Sequence, residues 1–245
     1  MAFLRKVTFD WNQVNEPKSY PFNVPSLTGI KELDLNHNVI FFVGENGSGK
    51  STLLEAIAFK CGFANKGGGN YGTVEKPDDS LLLEAIITMS WLPKVHKGFF
   101  VRAETFFDFA CFVDDLAQEF GEYKIYRSYG GKSLNAQSHG EAFISLFTNR
   151  FGDKGIYILD EPEAALSPQR QLAFLRVIRE LEQTGNGQFI IATHSPILMA
   201  YPGAVIYSFD GNSIDLVKYE ETEHYQLTRA FLNNREKFFI ELFDD

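Results

Sequence analysis

Val39-Ile-Phe-Phe-Val43 runs directly into Gly44-Glu-Asn-Gly-Ser-Gly-Lys-Ser51, and this junction restricts the fold more than any other stretch of the chain. Five apolar residues in a row read as a strand buried on both faces, as in a parallel sheet covered by helices. The next eight match G-x-x-x-x-G-K-[ST], and Lys50–Cys61 reads as the helix this pattern requires after its loop. Glycines let the backbone curl until several N–H groups face one anion. The helix adds its positive end. In such a loop Gly44, Glu45, Asn46, Gly47, Ser48, Gly49 and Thr52 line the phosphates. Lys50 reaches the β- and γ-phosphates, and Ser51 offers a hydroxyl oxygen to Mg²⁺.

Ile156-Tyr-Ile-Leu-Asp160-Glu161 is a second buried strand, a Walker B pattern that delivers two carboxylates at its end. Asp160 suits a divalent metal, and Glu161 beside it suits taking a proton from an attacking water. A third buried run, Phe189–Ala192, leads into Thr193-His194-Ser195-Pro196 and sets His194 where a terminal phosphate would lie. Taken alone, the carboxylate pair also reads as an acidic turn and His194 as a satisfied polar residue. The P-loop upstream favours the catalytic reading of both.

Strands alternating with helices give an α/β class. The expectation is a mostly parallel core sheet flanked by helices, with an N-terminal antiparallel β portion and a C-terminal β-hairpin. The antiparallel portion is read from Lys6–Trp11, Tyr20–Val24 and Ile30–Leu35. The hairpin is read from Val205–Phe209 and Ile214–Tyr219 around Asp210-Gly211. Ser138–Phe151 reads as a helix. Ser167 caps another, with Pro168 at its first position, Leu172, Leu175, Ile178 and Leu181 as its core face and Gly185 as its stop. Leu81–Trp91 and Phe99–Phe107 are apolar without a clear period, Lys66–Asp79 reads as a Gly-rich polar loop, and the tail from Glu223 reads as helical. Residues 1–245 are expected to form one domain, with 62–137 a helical insertion on the lid side of the site. Phenylalanine, at 24 residues, predicts a core built largely of aromatic rings.

Lys and Arg number 23 against 32 Asp and Glu, a net charge of −9, which argues against a surface coated for nucleic acid. Cys61 and Cys111 form no CxxC pair and the five histidines have no metal-ligand spacing, so a reducing cytoplasm is expected. Gly185–Phe209 lacks Asp, Glu, Lys and Arg but holds His194, Pro196, Pro202 and Gly203, and so reads as strand, loop, short helix and strand. With no apolar run behind Arg5 and Lys6, neither a signal peptide nor membrane insertion is expected.

Gln137-Ser-His-Gly-Glu141 admits two readings. Ser138 with Glu141 is a capping box that opens a helix. A capped helix start with Ser and Gly is also an anion site. Together GENGSGKST, QSHGE, YILDEPEAALS and ATHS stand in the order and rough spacing of the ABC-type ATPase domain. The chain resembles its soluble, non-transporter branch, as in RecF-like, SMC-like and OLD-type ATPases, over about Lys6 to Phe209. The small stand-alone bacterial ATPases called AAA-family or ABC-like are the most similar. The resemblance implies ATP and Mg²⁺ as cofactors, hydrolysis of ATP to ADP and phosphate, and an ATP-dependent head-to-tail homodimer. In that dimer Ser138, Gly140 and Glu141 of one subunit would approach the nucleotide held by the other.

Gln137 and His139 stand where the family signature has Leu and Gly, and Leu166-Ser167 stands where Leu-Asp is common. Phe99-Phe-Val-Arg-Ala-Glu104 holds the place of the Q-loop without a glutamine, leaving Arg102 or Glu104 as candidates. Tyr20 or Phe22 would stack on adenine. Gly67–Gly72 satisfies G-x-G-x-x-G but follows a helix, which fails the context of a dinucleotide site. Between the P-loop and QSHGE there is no room for long coiled-coil arms, and no appended nuclease domain is expected. The implied function is a soluble ATPase that acts on an unknown effector protein or nucleic acid. A repair or phage-defence ATPase, a transporter subunit and a non-hydrolysing binding module are the alternatives. Arg170, Arg176 and Arg179 are the nearest approach to a basic stripe.

Overall fold

The computed structural model of the protein describes residues 2–63, 78–150 and 154–243. Its strands are β1 (Leu4–Phe9), β2 (Glu32–Asp34), β3 (Val39–Val43), β4 (Ile87–Trp91), β5 (Gly98–Arg102), β6 (Gly155–Asp160), β7 (Gly187–Ala192), β8 (Val205–Ser208) and β9 (Asp215–Val217). Its helices are α1 (Lys50–Lys60), α2 (Asp78–Ile86), α3 (Phe106–Phe120), α4 (Glu122–Tyr126), α5 (His139–Arg150), α6 (Pro168–Gln183), α7 (Pro196–Met199), α8 (Glu223–Asn233) and α9 (Arg235–Phe243).

The main sheet has the order β5-β6-β7-β3-β8-β9. Neighbours from β5 to β8 run parallel, and β8 and β9 form the antiparallel hairpin. The three apolar runs are its central strands β3, β6 and β7, buried along their whole length. Successive side chains face opposite sides of a strand, which divides the core in two. Phe41, Leu159 and Ile191 face the layer of α3, α5 and α6; Phe42, Ile158 and Ile190 face α1 and the second sheet. The first layer carries the expected aromatic core, where Phe147 packs against Phe143 at 4.7 Å and against Phe174 at 4.6 Å between ring centroids. Burying each such ring is worth about 1.5–3 kcal/mol.

The second sheet, β2-β1-β4, is antiparallel throughout. One buried amide ties it to the first. Gln188 of β7 accepts the N–H groups of Phe3 and Leu4 at 3.0 and 2.7 Å, and its Nε2 donates to the carbonyls of Leu4 and Leu35 at 2.9 and 2.7 Å.

Several expectations are corrected. Tyr20–Val24 forms turns rather than a strand, because Pro21 and Pro25 break the ladder. Leu81–Trp91 divides between α2 and β4. Phe99–Phe107 divides between β5, a 3-10 turn and the start of α3. Residues 62–137 are not wholly helical, since β4 completes the small sheet and β5 extends the large one. Asp78 and Asp79 lie in α2 rather than in a loop. The rest of that loop, including Gly67–Gly72, falls outside the described residues. Leu172 is 60% exposed, and the core face of α6 is Gln171, Phe174, Ile178 and Leu181. The tail is two helices, α8 and α9, parted at Asn234. Among the described residues no helix is long and apolar enough to cross a membrane.

Candidate nucleotide site

Parallel strands place their C-terminal ends along one edge of the sheet, where ligands of α/β folds bind. Here that edge gathers the P-loop after β3, Asp160 and Glu161 after β6, and His194 after β7, which lies between the other two. Gly49 precedes α1 at φ +98°, and a Cβ there would meet Val24 at 2.8 Å, so the loop admits no side chain at that point. Lys50 is buried and donates to the carbonyls of Gly44 and Glu45 at 2.6 and 2.8 Å. Burial lowers the pKa of its ammonium, against the pull of Glu161, Asp160 and Asp210. Asp210, at the hairpin turn, accepts the N–H of Glu45 at 2.7 Å and so fixes the start of the loop.

Ser51 donates its hydroxyl to Asp160 Oδ1 at 3.0 Å. Two oxygens so close, from a hydroxyl and a carboxylate, are donors of the kind a hard divalent cation takes. The other carboxylate oxygen, Oδ2, accepts from Arg102 Nε at 2.9 Å, and Arg102 Nη2 forms an ion pair with Glu55 of α1. Of the two Q-loop candidates, it is Arg102 that meets Asp160, and it meets Glu55 as well. Glu161 is the one non-glycine among the described residues with positive φ, at φ 50° and ψ 50°. Its Oε1 lies 3.5 Å from His194 Nε2. Glu163, half-buried in the following turn, accepts the His194 N–H at 2.6 Å. Burial, followed by the charges of Lys50 and His224, keeps the His194 imidazole below its usual pKa, so it is neutral at pH 7.

Tyr20 is 47% exposed and its hydroxyl lies 2.6 Å from Thr52 Oγ1, beside the P-loop helix. Phe22 is buried against Trp11, and its ring is unavailable for stacking on a base.

QSHGE is built into the contact between α5 and α6. Ser138 donates to Glu141 Oε2 at 2.7 Å and accepts from Arg170 Nη1 at 3.2 Å; Glu141 in turn accepts the Ser138 N–H at 3.1 Å. One arm of a capping box is therefore present, the Glu141 carboxylate on the Ser138 N–H, while the Ser138 hydroxyl meets that carboxylate and Arg170. Ser138 is exposed, whereas Gly140 is buried, and a Cβ on it would collide with Arg170 and approach the Ala165 carbonyl to 3.1 Å. The arginines of α6 make no free basic stripe: Arg170 meets Glu141, Arg176 meets Glu180 and Arg179 meets Glu182.

Three contacts at this edge carry no local sequence signal. Glu55 beneath Arg102 is a mid-helix residue, Asp210 reads only as a turn former, and His224 reads as one more isolated histidine.

Residues 142–200 match the family described as "AAA domain, putative AbiEii toxin, Type IV TA system", and residues 22–85 match a second described as "AAA domain". Protein ea59 of Escherichia phage lambda is 39% identical over 72 residues, covering 28% of this chain and 14% of that protein. The tungstate uptake system ATP-binding protein TupC of Campylobacter jejuni is 26% identical over 207 residues, covering 81% of this chain and 61% of that protein. The chain thus spans less than two thirds of each. Among solved structures, the SmcHead bound to the C-winged helix domain of ScpA superposes with a TM-score of 0.50 at 13% identity, over 88% of this chain and 98% of that one. Fold and sequence together support a P-loop ATPase domain similar to the ABC/AAA type. Its fold is similar to that of the SMC head, and over most of its length its sequence is similar to the ATP-binding protein of an uptake system.

Proposed function

We propose that the protein binds and hydrolyses ATP at this edge, and that two ATP-bound copies pair head to tail to act on an effector protein or nucleic acid. The observation that carries the reading is the convergence of Ser51, Asp160, Glu161 and His194 beside a P-loop. Gly44 to Thr52 wrap the phosphates, and Lys50 turns from the loop carbonyls to the β- and γ-phosphates. Ser51 and Asp160 would hold Mg²⁺, which supplies charge neutralisation on the phosphate oxygens when bound. Glu161 takes the proton of the attacking water, and His194 contacts the γ-phosphate. Exposed Ser138 at the start of α5 is the group offered to the nucleotide of the second copy, with Gly140 and Glu141 shaping that helix start. Tyr20 lies beneath the base.

The test uses Glu161→Gln. Binding of Mg-ATP at the wild-type affinity with turnover lowered by about 10²–10⁴-fold supports Glu161 as the base, and turnover at the wild-type rate rejects it. Lys50→Ala should lose affinity for the nucleotide itself. Light scattering of Glu161→Gln reads the pairing: a dimer with Mg-ATP and a monomer with Mg-ADP are expected, and a monomer in both overturns the dimer.

A further inference from the structure

His194 does not stand alone: a second histidine backs it on the side away from Glu161. Its Nδ1 lies 2.8 Å from Nε2 of His224, with the two rings 4.9 Å apart and inclined at 60°. His224 comes from α8, outside every motif of the site. It is held there firmly: Thr222 is buried and donates to Met199 Sδ, and Tyr219 donates to the Pro196 carbonyl at 3.0 Å, both against α7.

Two imidazoles this close share one proton between the facing nitrogens, and which ring owns it decides what the far nitrogens are. If His194 donates, its Nε2 is a bare lone pair aimed at the Glu161 carboxylate 3.5 Å away, and His224 carries a buried N–H at Nδ1 that lacks a partner. If His224 donates, His194 carries its proton on Nε2. That N–H points toward the Glu161 oxygen, and the orphan on His224 is an acceptor. Either arrangement leaves one buried N–H without a hydrogen-bond partner, at His224 Nδ1 in the first and at His194 Nε2 in the second. What separates them is Glu161: a lone pair set against its carboxylate is repulsive and an N–H there is attracted, which selects the second arrangement.

We infer that His224 is a positioning residue that holds His194 as its Nε2–H tautomer, so that the nitrogen facing the nucleotide is a hydrogen-bond donor. The assignment rests on the proposed role of His194 at the γ-phosphate. It adds that this role is set from the tail helix rather than by the strand that delivers the histidine. A phosphate oxygen can only accept, so the other tautomer would offer it nothing.

Long-range ¹H–¹⁵N spectra of nucleotide-free protein labelled in histidine read the tautomer directly, with His194→Gln and His224→Gln giving the assignments. A His194 protonated at Nε2 supports the inference, and protonation at Nδ1 overturns it whatever the ATPase does. In steady-state ATPase assays His224→Ala should lower kcat about tenfold with KM little changed, and His224→Gln, whose amide N–H also donates, should restore most of it. A His224→Ala protein with the wild-type spectrum and the wild-type kcat overturns the inference. Full turnover in His194→Gln would instead reject the γ-phosphate role of His194, and the spectrum would still decide what His224 does.

Discussion

Arg102 Nε lies 2.9 Å from Asp160 Oδ2, so the carboxylate that ends β6 holds a counter-ion before any metal arrives. The same guanidinium pairs with Glu55, and all three side chains are largely buried. Arg102→Ala would leave two carboxylates facing each other without that cation. Breaking a buried pair from one side typically costs about 3–5 kcal/mol, and a loss of that order is expected in urea unfolding. Arg102→Met combined with Glu55→Gln should recover most of it. A single variant as stable as the wild type would mean that solvent already screens the cluster.

Glu161 sits in the left-handed region, which costs a side-chain-bearing residue about 1–2 kcal/mol, while glycine there gives up about 0.5–1 in unfolded-chain entropy. Glu161→Gly should therefore unfold at slightly higher urea than Glu161→Gln, by up to about 1 kcal/mol. Both should be inactive in hydrolysis. Equal stabilities would show that the surrounding turn relieves the strain in another way.

Burial raises the pKa of Glu163 above the ordinary value of 4.5, with the His194 N–H pulling it back. A raised carboxyl pKa means that the folded state keeps a proton the unfolded state has released. Stability from this group is therefore greatest below the ordinary value and falls as pH climbs to the raised one. Glu163→Gln can still accept the His194 N–H and cannot ionise. Its advantage over the wild type should grow with pH across that window and then level off, as read by urea unfolding over about pH 4 to 8. An advantage independent of pH would reject the assignment.

Gln188→Leu keeps the bulk and removes every bond of the amide that joins the two sheets. Buried backbone groups of Phe3, Leu4 and Leu35 then lack their partner. At about 1–3 kcal/mol for each unsatisfied group, a loss of at least about 3 kcal/mol is expected in chemical unfolding. A loss below about 1 kcal/mol would mean that water enters the gap and replaces the amide.

The sequence made the candidate nucleotide edge readable because each of its parts is local. VIFFV, YILDE and FIIATH are apolar strands whose end residues carry the chemistry, and the parallel sheet brings those ends together. What stayed illegible is tertiary. Arg102 is adjacent to Asp160 in register, though 58 residues separate them in sequence, and its pairing with Glu55 depends on how α1 crosses β6. His224 and His194 are 30 apart and meet only because α8 packs on α7. Leu172, Leu175, Ile178 and Leu181 recur every third residue and drift around the helix. The buried face at 171, 174, 178 and 181 follows the true 3.6-residue turn, with a glutamine where a leucine was expected. Gln171 earns burial by accepting from Ser195 and donating to the Leu166 carbonyl.

The Gln188 clamp also sets an order in time. Strand β1 is made before β7, yet the amide that secures it to the main sheet lies 184 positions later. Closing so long a loop is slow and must await synthesis of most of the chain. The docking of β1 onto the main sheet is therefore a late step. Until β7 is made, β1 has β2 and β4 to pair with but no anchor on the main sheet, and the small sheet is the part most in need of protection in the nascent chain.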